Sequence, residues 1–313
     1  MDIAFIIDPL SSLNVRKDSS IAMMEAAQNR GHKISVIYPE DIIYECPRIT
    51  AICRPISINI QQIRWYEEKN FEVRPLESFD VVLMRKDPPV DTEYIYLTFL
   101  LEIAEKNGAK IINKPSAVRN NNEKLAISEY PEFVAPTIVS KKIEKIKSFA
   151  KSHGTIVIKP LDGMGGSSVF KVSVGDPNTN VIIETLTKNG NRTVMAQMFL
   201  SDITLGDKRI LLIDGIPQPF SLARVPQGDE IRGNIAAGGK GIAMALTRKE
   251  YEIATRIGPA AEKKGLFIVG LDIIGEYLTE INVTCPTCMR EIATQTDCNI
   301  AKNVICNIER KWG

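Results

Sequence analysis

Hydrophobic positions come in short blocks along the first third of the chain. Ile3 to Ile7 is a continuous apolar run closed by Asp8-Pro9, a pattern that predicts a buried strand. Asp18 or Ser19 is placed to cap a helix running to about Arg30, with Gly31 as its stop. Lys33 to Tyr38 reads as a second strand, Asp41 to Arg74 has no decisive period, and Phe79 to Met84 is again apolar throughout. A helix capped by Asp91 or Thr92 follows, its apolar face expected to carry Ile95, Phe99 and Ile103. Gly108 ends it before a strand at Lys110 to Asn113. Strand, helix and strand repeated in this way argue for a parallel sheet covered by helices.

The rhythm changes after Pro115. Pro115 to Glu129 reads as a polar helical bridge between domains, and Lys141 to His153 as a basic helix. Next come a strand at Thr155–Pro160, a glycine loop, a strand at Val169–Val174, a helix near Val181–Thr187 and a strand at Val194–Leu200. This order describes a small α+β lid. From Lys208 onward RILLIDG, PFSLARV and, after a long loop and a helix, FIVGLDIIG are strand candidates, and YLTEINV closes a hairpin. No internal repeat or low-complexity tract interrupts the 313 residues, a length that allows two or three domains.

Charge narrows the choice of partner. Lys plus Arg is 39 and Asp plus Glu is 38, so no general field favours nucleic acid or an anionic membrane. An anionic ligand must be met by a local cluster of cations. The first residues carry acids at Asp2 and Asp8 and no basic stretch, unlike a secretory signal, and no apolar run approaches the ~18 residues of a membrane helix. Six cysteines without such a signal are expected as reduced thiols in the cytoplasm. Only His32 and His153 are available for histidine chemistry.

Three stretches carry candidate chemistry. Along Tyr277 to Asn282 side chains alternate, so Glu280 and Asn282 share one face while Ile281 and Val283 share the other. A turn at Gly275 to Tyr277 would set Asp272 opposite Glu280. Two carboxylates and an amide oxygen suit Mg²⁺, although a half-exposed hairpin with a polar face shows the same pattern. Lys159 to Ser168 places three glycines within four positions after an apolar strand, and Lys159 can add a point charge. The stretch is neither GxxxxGK[ST] nor a GxGxxG dinucleotide fingerprint, and a glycine-rich hairpin turn fits it as well. Pro226 to Gly241 is sixteen residues with five glycines, longer than connections usually run, which favours disorder or a functional lid. Arg232 and Lys240 lie in it, and Arg209 and Arg224 lie on the neighbouring expected strands. Each arginine taken singly also fits a surface ion pair.

Taken together, the motifs resemble one family. KDSS (Lys17–Ser20), MRKDPP (Met84–Pro89), NKP (Asn113–Pro115), NEKL (Asn122–Leu125), IKPLDGMGGSSVF, DKRIL, LARVPQGDEIRGNIAAGGKG and GLDIIGEYLTEINVTCPT occur in this order over essentially the whole chain. The chain is similar to bacterial-type glutathione synthetases of the ATP-grasp superfamily. The resemblance implies an α/β protein of ATP-grasp fold. Residues 1–121 would form an N-terminal parallel-sheet, Rossmann-like substrate domain, 122–200 a small α+β lid, and 201–313 a C-terminal α+β catalytic and metal-binding domain.

It also implies a reaction: γ-glutamylcysteine, glycine and ATP give glutathione, ADP and phosphate through an acyl phosphate. No protein nucleophile is required, and the protein positions substrates and neutralises charge. Matching positions imply that Lys124 and Lys159 contact ATP phosphates and that Gly163 to Ser168, with Gly165, Gly166 and Ser167, fold over them. Gln197, Met198, Phe199 and Leu200 match the hinge that reads adenine, and Asp207 the ribose-side acid. Asp272, Glu280 and Asn282 match ligands of Mg²⁺ (or Mn²⁺), with Asn282 also near substrate. Arg209 and Arg224 match cations near the transferred phosphoryl group, and Arg232 opens a loop that closes on the intermediate. Arg85, at the carboxyl end of an expected parallel strand, is a candidate contact to the peptide substrate, with Lys17, Asp18 and Ser19 in the same site.

A homotetramer is the assembly the family suggests; neither nucleic acid nor membrane is expected as a partner. Other carboxylate–amine ligases, of the D-alanine–D-alanine or glutamate-adding kind, share the lysines, glycine loop and acidic pair but would lack MRKDPP and the LARVPQGDEIRGN loop. A nucleotide-binding module without catalysis would have lost metal ligands or loop cations. Cys285-Pro286-Thr287-Cys288 departs from the pattern, where a serine-like residue is expected first. With no second CxxC a structural zinc is disfavoured, and an oxidant that bridged 285 and 288 is expected to impair turnover.

Overall fold

The computed structural model describes residues 1–228, 230, 232–233 and 238–313. In chain order its first elements are β1 (Asp2–Ile6), α1 (Ser19–Asn29), β2 (Lys33–Ile37), β3 (Ile42–Glu45), β4 (Arg48–Ile58), β5 (Tyr66–Glu68), β6 (Glu72–Pro75), β7 (Val81–Met84), α2 (Thr92–Lys106), β8 (Ile111–Ile112) and α3 (Pro115–Asn120). These strands form one sheet in the order β3-β4-β2-β1-β7-β8, with β5 and β6 also paired to β4. The expectation of a parallel sheet holds for β2, β1, β7 and β8 only. The stretch from Asp41 to Arg74 that had no decisive period folds as antiparallel strands around β4.

Asp18 caps α1 by accepting the amide of Ile21, and Asp91 caps α2 by accepting that of Tyr94. The expected apolar face of α2 is corrected. Tyr94, Leu97, Thr98, Leu101 and Ala104 are the residues buried and Ile103 packs against the core beside them, whereas Phe99 is 47% exposed under the guanidinium of Arg119. A stripe spaced strictly by four drifts around a helix of 3.6 residues per turn, so the alternation of three and four wins.

The middle of the chain holds β9 (Thr137–Ser140), α4 (Ile143–His153), β10 (Thr155–Pro160), β11 (Phe170–Ser173), α5 (Thr179–Leu186) and β12 (Val194–Met198). Four antiparallel strands in the order β11-β10-β12-β9 form a sheet whose small core, Ile146, Ile156, Ile158, Ile183 and Val194 among others, lies under α4 and α5.

The last part holds β13 (Asp207–Ile213), β14 (Ile216–Val225), β15 (Lys240–Ala245), α6 (Arg248–Lys264), β16 (Ile268–Ile274), β17 (Tyr277–Asn282), α7 (Met289–Ala293) and α8 (Ile300–Trp312). Its antiparallel order is β15-β14-β13-β16-β17. Helix α6 packs against β13, β14 and β16, and α8 packs on α1 and β13, which joins this sheet to the first in continuous apolar cores. Asn113 bolts the two together. Its Oδ1 accepts the amides of Phe267 and Ile268, and its Nδ2 donates to the carbonyls of Ile268 and Val283, all within 2.8 Å. Among the described residues no helix is long and apolar enough to cross a membrane.

Candidate active site

The three sheets meet around a cavity of about 490 Å³. Its centre is built from the antiparallel ladder of the last sheet. The register sets Arg209 opposite Asp272, Asp272 opposite Glu280, and Arg224 opposite Asp207. Residues 63 and 8 positions apart in the chain therefore stand side by side, as the hairpin reading of Asp272 and Glu280 expected. Arg209 holds both oxygens of Asp272, through Nε to Oδ1 and through Nη2 to Oδ2 at 2.8 Å. Arg224 adds a second cation to Oδ2 at 2.9 Å and reaches Asp207 Oδ2 at 2.5 Å. Gly270 makes room for this: a Cβ there would stand 2.9 Å from Arg209 Cδ.

Burial would raise the Asp272 carboxyl, but the charges of Arg209 and Arg224 outweigh it and hold the group well below the usual carboxylate range. Asp207, with burial stronger than the pull of Arg224 and with Asp272 close by, is pushed up to about 6. Its Oδ1 is buried without a partner.

The lysines close the charge balance. Lys124 Nζ donates to Glu280 Oε1 at 2.9 Å and to the Gly163 carbonyl at 2.6 Å. Lys159 is buried at the end of β10 and reaches the Thr279 carbonyl at 3.3 Å. Burial lowers the pKa of Lys159, and Glu280 opposes that shift. The glycine loop runs over them with Gly165 and Gly166 at φ +60° and +78°, a backbone that a side chain would strain. Gly163, Gly165, Gly166 and Ser167 all line the cavity, as do Met198, Phe199 and Leu200 at the end of β12. Arg232 donates to the Gly166 carbonyl at 3.3 Å and pairs with Glu230 at 2.6 Å. The rest of the expected closing loop falls partly on residues 229, 231 and 234–237, outside the described residues.

Not every expected residue faces the cavity. Lys17, Asp18 and Asn282 line it, but Ser19, Arg85, Gln197 and Asp272 do not. Asp272, opposite Glu280 as expected, is drawn into its arginine pairs and is 2% exposed. Gln197 points across the middle sheet to Thr137 Oγ1, so only its neighbours at the end of β12 reach the cavity. Ser19 accepts the amide of Met289. Arg85 is buried just behind the wall, donating to Ser20 Oγ at 3.1 Å and the Pro286 carbonyl at 2.8 Å, with Nη1 unpaired.

Sequence reasoning assigned no role to three acids that line the cavity. Asp87 and Glu123 sat inside MRKDPP and NEKL, whose spacing marked them, whereas Glu291 carried no local signal. Glu123 Oε1 accepts the amides of Val283 and Thr284 and the hydroxyl of Thr284, between 2.8 and 3.0 Å. Burial and the charge of Glu280 push its carboxyl up. Cys285 and Cys288 also line the cavity as free thiols, both pushed up by burial. A thiol so placed carries little thiolate, which slows its reaction with an oxidant.

Glu280 and Asn282, with Asp272 behind them, offer hard oxygen donors that fit a divalent cation. Each Asp272 oxygen keeps lone pairs beyond those used by the arginines. No cluster of three or more His, Cys, Asp or Glu able to hold a metal occurs among the described residues, so a cation here needs oxygens from a ligand, as Mg²⁺ does when it bridges phosphates.

Two family models match the chain: the N-terminal domain of prokaryotic glutathione synthetase over residues 1–119, and its ATP-grasp domain over residues 123–297. A glutathione synthetase from Vibrio parahaemolyticus is 49% identical over 309 residues, covering 99% of this chain and 98% of its own. One from Nitrosomonas europaea is 49% identical over 313 residues, at 99% and 98%. Among solved structures, D-cycloserine synthetase DcsG superposes with a TM-score of 0.67 at 14% identity, covering 99% of each chain. The ATP-grasp ligase PsnB bound to a phosphomimetic precursor, Mg and ADP gives 0.65 at 17% identity, covering 99% of this chain and 98% of its own. These two likenesses establish the ATP-grasp fold.

Proposed function

The chain belongs to the prokaryotic glutathione synthetase family, and from that premise we propose how its cleft performs the family reaction. The protein joins γ-glutamylcysteine to glycine as ATP is cleaved to ADP and phosphate, the carboxylate oxygen leaving with the phosphate. The observation that carries this reading is the convergence of four buried cations, Arg209, Arg224, Lys124 and Lys159, on one cavity roofed by a glycine loop. Such a site can gather a triphosphate and a carboxylate and stabilise charge as it moves between them.

Lys124, Lys159, Gly163, Gly165, Gly166 and Ser167 take the phosphates. Met198, Phe199 and Leu200 flank the base, while Gln197 holds that strand in place through Thr137. The unpaired Asp207 Oδ1 suits a ribose hydroxyl. Asp272, Glu280 and Asn282 are the residues to hold Mg²⁺ or Mn²⁺, which when bound neutralises phosphate charge. Arg209, Arg224 and Arg232 face the transferred phosphoryl group, and Arg85, Lys17, Asp18 and Ser19 belong to the peptide end.

Residues 1–121, 122–200 and 201–313 are the corresponding units, each holding one of the three sheets. Exposed Ile43, Tyr44, Phe71 and Val73 on β3 and β6 and near them support assembly into a homotetramer, which sedimentation would test. The free thiols support a cytoplasmic setting.

The test is phosphate release with γ-glutamylcysteine and a panel of amines. Glycine-dependent release with a tripeptide product is expected. Preference for paired D-alanine would move the protein to another ligase class. Glu280→Ala should remove turnover and also lower the melting temperature, because it leaves the buried Lys124 without its carboxylate; normal rates in excess Mg²⁺ would count against the metal assignment.

A further inference from the structure

Joining a dipeptide to an amino acid brings two ammonium groups into one cavity, and each needs a carboxylate. The cavity's acids outside the metal and ribose positions fall into two groups. Asp18, Asp87 and Glu291 sit at the end where Lys17 and Arg85 lie, and Asp18 feels the charges of both Arg85 and Asp87. Glu123 lies beside Glu280 and directly before Lys124, with Tyr94 between it and the Arg85 and Asp87 end.

The two oxygens of Glu123 differ sharply. Oε1 carries all three bonds to Val283 and Thr284, and the Glu123 carbonyl accepts the amide of Ile281 at 2.9 Å. The side chain is thereby fixed against the strand that carries Glu280 and Asn282. Oε2 has no hydrogen bond or ion pair among the described residues and is not sealed from the cavity that Glu123 lines. A rigid carboxylate, largely buried, beside a like charge and lacking a cation of its own, is an incomplete pair.

Resting on the ligase reading above, we propose that Glu123 Oε2 binds the ammonium of the incoming amino acid, next to the metal strand where the activated carboxyl is formed. The dipeptide's own ammonium is left to the Asp18 and Glu291 end. The pinned side chain loses little freedom on binding, so the amine is held pre-oriented. The carboxylate also supplies selectivity: a neutral nucleophile gains nothing from it.

Glu123→Gln keeps an oxygen for the three clamp bonds and turns the free position into an amide donor. Hydroxylamine, largely uncharged at neutral pH, traps the acyl phosphate as a hydroxamate. With ATP and γ-glutamylcysteine present, kcat/KM for glycine divided by that for hydroxylamine should fall about tenfold or more in the variant. Glu123→Asp, which keeps the charge, should recover part of the ratio. A ratio within about twofold of wild type, or equal losses with both nucleophiles, would overturn the assignment, equal losses meaning that Glu123 serves the fold or the phosphoryl step. Wild-type protein that makes no glycine-dependent product would instead sink the ligase reading itself.

Discussion

The first and last sheets deliver functional groups in different ways. In the parallel strands β2, β1, β7 and β8 the buried positions are apolar apart from Ser35, and the charged groups near the site lie outside the strands: Asp18 at the cap of α1 and Arg85 after β7. In the last sheet the charges sit within the paired strands, where register places Arg209, Asp272 and Glu280 in one cross-strand row. Helices cover both faces of a parallel sheet, so its chemistry is confined to the edge where strands end. An antiparallel ladder can alternate charges across neighbouring strands and neutralise them as it buries them. The difference shows in the pairing. Both Asp272 oxygens are satisfied within the ladder, whereas Arg85 Nη1 beyond β7 is left without a partner; in the last sheet Asp207 Oδ1, at the very start of β13, is the exception.

The contrast breaks if the two regions respond alike to truncation. Asp272→Ala should cost the most, about 3–5 kcal/mol, because it strands the buried Arg209 and leaves Arg224 with Asp207 alone, and turnover should vanish with it. Denaturant melts and phosphate release measure both; an unchanged midpoint would mean that the row is not the anchor described. Asn113→Ala tests the bolt between the sheets. It leaves two amides and two carbonyls unpaired, and a loss of about 2–4 kcal/mol is expected in the same melts.

Arg85→Ala should be milder, about 1–2 kcal/mol, since one nitrogen is already unpaired. Its main effect should be an increase of about tenfold in KM for γ-glutamylcysteine with kcat changed far less. An equal fall in kcat would place Arg85 with the phosphoryl machinery.

The smallest effect lies at the outer seam of α1 and α8. The bidentate bond from Arg30, with His32 alongside, holds the Glu309 carboxyl below its ordinary value of 4.5. A lowered carboxylate stabilises the fold above its unfolded pKa and loses that contribution as pH falls through the folded one. Glu309→Gln should therefore flatten the acid side of the melting-temperature profile below about pH 5 and leave neutral pH nearly unchanged.

Much of this was legible in one dimension. Caps at Asp18 and Asp91, stops at Gly31 and Gly108, and strands such as Thr155–Pro160 follow from local chemistry, because a capped first turn or a positive-φ glycine needs no distant partner. Alternation along Tyr277 to Asn282 fixed which residues share a face, and the hairpin turn put Asp272 opposite Glu280. The short helix α7 and the long α8 escaped notice, as did strand β15 and the buried face of α2.

What the chain alone determined was the local alphabet: the elements, the glycine loop, the acidic pair and the family they spell. Which charges partner which was settled in three dimensions. Arg209 and Asp272, 63 residues apart, meet only through strand register, and Asp272 turns inward because two guanidinium groups compensate its lost water. Asn113 and Glu123 act by reaching residues more than 150 positions away. Periodicity records neighbours along the chain. The hydrogen-bond capacity of a buried amide or carboxylate is satisfied by neighbours across it, and only the packed fold supplies those.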